Sequence, residues 1–181
     1  MTATRTAAEA GLLGSAFRDA FRHHPTGVAV VTARDDAGVP VGFTASSVAS
    51  VSLTPPALVL SVSHRSSAAG GVLAAGSFLV HLLEARNVDL ARRFATSGAD
   101  RFGPGTGWTP LATGEPWFPE APTALRCRPL SRTPVGDATV VTAEVLGIHS
   151  SGREGAPLLH HDHGYHALGP LVPDPPAVSV R

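Results

Sequence analysis

Apolar positions in this chain come in short runs set apart by turn residues. Leu13, Phe17 and Phe21 recur every fourth residue, with Leu12, Ala16 and Ala20 beside them, which predicts an amphipathic helix over 9–22. His24-Pro25 ends it, because the residue before a proline leaves the helical region. Residues 28–33 and 39–44 are rich in β-branched side chains and flank Asp35-Asp36-Ala37-Gly38, the pattern of a hairpin. Runs at 58–62 and 78–82 read as further strands, with a short Ala-rich helix between them over 67–75, interrupted by Gly70-Gly71. Residues 87–96 read as a helix with Val88, Leu90, Ala91 and Phe94 on one face and Arg92-Arg93 toward solvent. The stretch 97–122 reads as a long irregular loop anchored by Trp108, Trp117 and Phe118, a length usual for functional or disordered segments. Later strands are expected at 123–128, 139–148 and 165–168, with a turn over 149–155 and a Pro-rich tail over 170–181. Many short strands with few helices predict a single-domain β-barrel decorated by helices.

Composition narrows the function classes. The chain has 181 residues, 43% hydrophobic and only 15% charged, so it can build one substantial core under a thinly charged surface. Fourteen basic residues balance fourteen acidic ones, which argues against a nucleic-acid or anionic-membrane partner and favours self-association. Every basic residue is Arg. Without Lys there is no pyridoxal phosphate Schiff base, no Walker A loop and no lysine nucleophile. Any anion held by a cationic side chain is held by a guanidinium, whose fork suits phosphate. Cys127 is alone, so no intrachain disulfide forms and a cytoplasmic setting is expected. No apolar run is long enough to span a membrane, and residues 1–14 make no convincing secretion signal. No HExxH, GxSxG or Cys-His motif appears.

The richest chemistry lies in residues 42–56, GFTASSVASVSLTPP. Small residues let a ligand approach the backbone, and Thr44, Ser46, Ser47 and Ser50 offer hydroxyls; a flat ring with polar edges and an anionic tail would suit them. The same composition also fits ordinary turns. The surrounding order is more specific: Pro25-Thr26-Gly27, then Gly42-Phe43-Thr44-Ala45-Ser46-Ser47, then Val51-Ser52-Leu53-Thr54-Pro55-Pro56, Arg65-Ser66-Ser67 and Asp100-Arg101-Phe102. In this order the chain resembles the flavin reductase-like family over residues 17–169, leaving 1–16 as a tail and the start of a helix. The resemblance implies an FMN-binding split β-barrel, mainly β with helices. It implies a homodimer that uses NADH or NADPH to reduce FMN or FAD and supplies a partner monooxygenase. Two other readings stay open: a flavin-dependent enzyme acting on its own small substrate, and a non-catalytic flavin- or haem-binding protein.

The resemblance places flavin along Thr44, Ala45, Ser46 and Ser47, with its phosphate end near Ser61, Arg65 and Ser66. Amides at the start of the helix near Ser67 would add a positive pole; the alternative for Ser66-Ser67 is a plain N-cap. Arg101 is expected as a second phosphate or ribityl contact and Phe102 as an apolar wall, the alternative being a solvated Arg beside a packing Phe. Thr26 and Gly27 would approach the ring, or simply enter a strand. Hydride passes between cofactors in this family, so no catalytic side chain is expected. Two departures stand out. The family's Gly-Asp-His triplet, whose His is associated with the pyridine nucleotide, is Gly136-Asp137-Ala138 here, where Asp137 suits a turn. Where relatives often carry aromatic-Arg-Gly-x-Tyr, this chain has His160, His161, Asp162, His163, Gly164, Tyr165 and His166. His163, Gly164, Tyr165 and His166 are therefore expected near the nicotinamide, one imidazole replacing the missing one. As a strand, this segment would alternate its side chains between faces, so no metal site is expected. His23-His24 read as helix-end imidazoles, and Cys127, flanked by Arg126 and Arg128 on the opposite face, as an inert packed thiol.

Overall fold

Strand β2 (Ala29–Arg34) is buried along almost its whole length, because it forms the wall between two apolar cores. Val31 and Ala33 point into the first with Phe43, Leu60, Val62, Phe78 and Val80. Val30, and Val28 just before the strand, point into the second with Leu83, Leu90, Phe94 and Phe118. The computed structural model describes residues 7–152 and 155–169, so the predicted tail at 170–181 lies outside the described residues.

The elements follow in order: α1 (Ala7–Arg22), β1 (Thr26–Gly27), β2, β3 (Pro40–Ala45), β4 (Ala49–Leu53), β5 (Pro56–Ser63), α2 (Ala69–Ala74), β6 (Phe78–Leu82), a 3-10 turn (Ala85–Asn87), α3 (Val88–Ala95), β7 (Thr109–Pro110), β8 (Pro116–Trp117), β9 (Thr123–Val135), β10 (Ala138–Ser150), β11 (Leu158–His161) and β12 (Gly164–Ala167). Seven strands make an antiparallel sheet in the order β3-β2-β6-β9-β10-β5-β4. A small sheet β1-β11-β12 and a ribbon β7-β8 complete it, a mainly β, single-domain split barrel as expected.

The predicted hairpin forms as β2-β3 in the register Val31↔Phe43, and Asp35 Oδ1 accepts the amides of Ala37 and Val39 across its turn. Strands β9 and β10 run well past their predicted ends, meeting in a two-residue turn where Gly136 has φ +58°, a position that favours glycine. Strand β4, predicted only as a hydroxyl-rich segment, is an edge strand; Val51 and Leu53 stand 60% and 88% exposed.

Helix α1 forms, but its apolar stripe is not buried: Leu13, Phe17 and Phe21 are 53%, 62% and 58% exposed. Periodicity reports a face that wants cover, and the described residues leave this one exposed. The segment 97–122 is the long irregular connection expected, held down by aromatic residues. Phe102, Trp108 and Phe118 pack edge-on with Phe94 in the second core, ring centroids 5.3–5.7 Å apart between neighbours. Buried Glu115 ties it to the barrel by accepting from Ser77 Oγ (2.5 Å), Arg126 Nε (2.8 Å) and Thr113 Oγ1. Burial alone would raise this carboxyl, but those donors outweigh it and hold it below its ordinary range. Cys127 is fully buried and its thiol is pushed up to about 12 by desolvation, so it is inert. Among the described residues no helix is long and apolar enough to cross a membrane.

His81 is also wholly buried, between the barrel and this segment. Its Nδ1–H donates to the Val30 carbonyl (3.1 Å) and its Nε2 accepts the Phe118 amide (3.2 Å), a pairing only the neutral ring can make. Burial is the main cause that lowers its pKa to about 4, with His149 adding to it. Between pH 6.5 and about 4 the unfolded chain therefore binds a proton that the folded chain refuses. Stability falls as pH drops through that window, by up to about 3 kcal/mol. His81→Phe should lower stability near neutrality, through the orphaned Phe118 amide, yet flatten the dependence between pH 6.5 and 4. Urea titrations of both proteins across that range check it; parallel curves would exclude His81 as the source.

Candidate functional site

The Ala49↔Val59 pair is the last that β4 makes toward β5's end, so the next residue facing that side, Ser61, has no strand partner there. Ser47 fills the gap. Its hydroxyl accepts the Ser61 N–H (2.9 Å) and donates to the Ser61 carbonyl (3.2 Å), copying a backbone pair with one side chain. Because Ser47 lies two residues past β3, at the other edge of the sheet, this joint draws the sheet round on itself. A cleft opens along it.

The inner part of the cleft has a volume of about 460 Å³ and lies between the β3–β4 connection, the end of β5 and the C-terminal end of α3. Thr44, Ala45, Ser46, Ser47, Ser61, Arg65, Ser66 and Arg101 all line it, so eight sequence-predicted residues converge on one space. Their hydroxyls differ in availability. Thr44 Oγ1 donates to the Ala91 carbonyl of α3 (2.6 Å), and Ser47 is committed to the joint, which leaves Ser46 and Ser61 as the freer groups on the ledge. Asp100 explains Arg101: its carboxylate accepts the amides of Phe102 (3.3 Å) and Gly103 (2.7 Å), turning the chain tightly. Phe102 then enters the second core while Arg101 is thrown to the cleft. Arg101 Nη2 donates to the Thr96 carbonyl (2.9 Å), but its Nε is buried with no protein partner. Arg65 is exposed and forms no ion pair among the described residues.

An outer part, about 880 Å³, shares Ser46, Ser47 and Ser61 with the inner one. Thr26 lines it, as do Val48 and Ala49, His160 and His163 of the β11–β12 hairpin, and Phe17, Arg18, Phe21, Arg22 and His24 at the end of α1. Helix and hairpin are latched together: Arg22 Nε meets Asp162 Oδ1 at 3.0 Å, and the Asp162 amide donates to the Arg22 carbonyl at 3.0 Å. Across the described lining of both parts stand four arginines and no carboxylate, in a chain of zero net charge. Such a cleft concentrates anions.

Several expectations need correction. Phe102 walls a separate small recess on the far side of Arg101, not the cleft itself; packing claims its ring. Helix α2 starts only at Ala69 and has six residues, with Ala68 as its uncapped N-cap. The helix thus begins two residues past Ser67, and Ser66 Oγ accepts the Ala68 amide (3.3 Å) in the turn before it. The His-rich segment is no continuous strand. Asp162 and His163 are its turn, with φ of +46° and +63°, so the alternation of faces breaks and His163 swings into the cleft. Gly164, Tyr165 and His166 do not line it: Gly164 pairs with His161, the Tyr165 ring packs on His160 with the Arg92 guanidinium 6.0 Å from its centroid, and His166 Nε2 bonds the His161 carbonyl at 3.2 Å. Ala138 pairs with Ser63 at the foot of β10 and lines neither part. Sequence reading missed Arg18, Phe17 and Phe21; the spacing that places them on one helix face was visible but pointed to burial. Among the described residues no group of three or more His, Cys, Asp or Glu could hold a metal ion.

Comparison with known proteins agrees on one family. The flavin reductase like domain family matches residues 21–169. An NADH:FMN oxidoreductase of Rhodococcus qingshengii is 40% identical over 164 residues, covering 89% of this chain and 85% of that protein. A flavin reductase domain protein of Arthrobacter sp. FB24 superposes with a TM-score of 0.83 at 32% identity, covering 89% of this chain and 99% of the other. The styrene monooxygenase flavin reductase of Pseudomonas putida S12 superposes with a TM-score of 0.76 at 27% identity, covering 86% and 99%.

The Ser47 joint has a direct test. Ser47→Ala leaves the Ser61 N–H and carbonyl without their partner, which should lower stability by about 1–2 kcal/mol. Ser47→Thr keeps the hydroxyl and should recover most of the loss. Denaturant midpoints for the two variants check this.

Proposed function

The chain belongs to the flavin reductase-like family, and on that premise we propose that it is an NAD(P)H-dependent flavin reductase that supplies reduced FMN or FAD to a partner monooxygenase. The observation that carries the reading is the two-part cleft, with its hydroxyl ledge, its four arginines and no carboxylate in its described lining. When bound, the reduced nicotinamide supplies a hydride and the flavin ring accepts it. Everything else is binding and orientation.

Arg65 and Arg101 hold the phosphate of the flavin; the unpartnered Nε of Arg101 and the unpaired guanidinium of Arg65 fit such a group without displacing any ion pair. Ser46 and Ser61, with the backbone from Thr44 to Ser47, meet the polar edge of the ring and its ribityl chain. Ser46, Ser47 and Ser61, which line both parts, and Thr26 in the outer part would border the ring, and the outer part would receive the nicotinamide beside it. His163 stands there and orients the carboxamide, in the role left vacant by Ala138. Stacking two rings at contact distance makes the transfer effectively intramolecular, so no side-chain acid or base is required.

Exposed Leu130, Val135, Leu146 and Ile148 on β9 and β10, with Val51 and Leu53 on the β4 edge, support a homodimer, since a second copy would cover these apolar side chains. The name of the Pseudomonas relative supports an oxygenase as the consumer of the product. The cytoplasm suits both a lone reduced cysteine and a supply of NADH.

Purified protein should oxidise NADH only when FMN or FAD is present, read as loss of absorbance at the nicotinamide band. Arg65→Ala and Arg101→Ala should each weaken flavin binding about tenfold or more, measured by fluorescence quenching. His163→Ala should raise the KM for NADH several-fold and leave flavin affinity unchanged; unaltered KM and kcat would remove His163 from the site.

A further inference from the structure

The outer part of the cleft has to receive a second anion. A reduced pyridine dinucleotide carries a pyrophosphate, and Arg65 and Arg101 belong to the inner part, where the flavin phosphate sits in the reading above. Among the described residues two guanidiniums, Arg18 and Arg22, line the outer part, together with His24, His160 and His163. Arg22 is already neutralised by Asp162 at 3.0 Å. Arg18, one turn earlier on the same face of α1, has no carboxylate within ion-pair distance among the described residues. We propose that Arg18 is the cation that binds the pyrophosphate of the nicotinamide cofactor, making α1 the reductant-binding wall of the cleft.

The surroundings of α1 fit that role. The helix gives the core nothing: from Gly11 to Arg22 every residue is exposed, and Phe17 and Phe21 face the outer cavity, not either apolar cluster. The contacts that position it are at its C-terminal end, where Arg22 grips the hairpin that carries His163. The latch therefore holds Arg18 and His163 in the lining of one space. His163 is placed for the nicotinamide end and Arg18 for the charged middle of the same ligand, with Phe17 and Phe21 offering apolar surface between them. A salt-bridged Arg22 orients the helix without competing for the anion, and a free Arg18 binds it.

This inference rests on the reductase reading, and its test separates the two. Arg18→Ala should raise the KM for both NADH and NADPH about tenfold, leave the Kd for FMN and FAD within twofold, and keep the melting temperature of the wild type, because α1 lies outside both cores. Arg18→Lys should recover part of the loss, and the rise of wild-type KM with salt should be shallower in Arg18→Ala. If the wild type turns over NADH but Arg18→Ala leaves KM unmoved, the assignment is overturned and the reductase reading stands. A rise confined to NADPH overturns it too, since the contact would then be to the 2′-phosphate. Failure of the wild type to oxidise NADH with either flavin overturns the reading beneath it.

Discussion

One hydroxyl sets the geometry on which the cleft depends. Where β4 parts from β5, a backbone N–H and carbonyl at Ser61 face a gap, and Ser47 answers both at once. A sheet edge left open there would be wet and unregistered, and the ledge from Thr44 to Ser47 would lose its second anchor. The first anchor is Thr44, whose hydroxyl holds the same segment to α3. With both ends tied, a stretch made of small residues, which by itself has little to fix its conformation, becomes a defined surface. Much of what looks like ligand-binding hydroxyl chemistry in the sequence is therefore spent on shaping the surface that binds.

The second constraint is the long connection after α3. Its aromatic residues complete the core behind Phe94, and Phe94 itself borders the inner cleft. Two buried ionisable groups fasten it, Glu115 as a carboxylate and His81 as a neutral ring, each fully partnered. Both lose their pairing on protonation. The segment that delivers Arg101 to the site thus depends on contacts that acid would break.

How much of this could be read from residues alone depends on what kind of signal each element leaves. β2, β3, β6 and α3 carry strong periodic patterns and were placed within a residue or two. β4 was missed because an edge strand with Ser at alternate positions looks like a turn, and the ends of β9 and β10 were missed because exposed Leu130, Pro134 and Val135 give no burial pattern. For the site, ordered motifs found the inner part almost completely. Of the outer part the sequence marks Thr26 and His163 but not the α1 residues, because it is assembled from a helix, a two-residue strand and a hairpin turn far apart in sequence, with no motif spanning them. Phe102 is assigned to the ligand because it belongs to the same Asp100-Arg101-Phe102 motif as Arg101; only the Asx turn at Asp100, which separates their directions, shows that the two part company.

The β11–β12 turn carries a further implication. Both of its central residues hold left-handed backbone, a conformation in which glycine or asparagine would sit at lower energy than histidine. An imidazole at position 163 is thus retained against the local conformational preference of the chain. Relaxing the turn with glycine would trade a firmer hairpin for an emptier wall, and the molecule as built favours the wall.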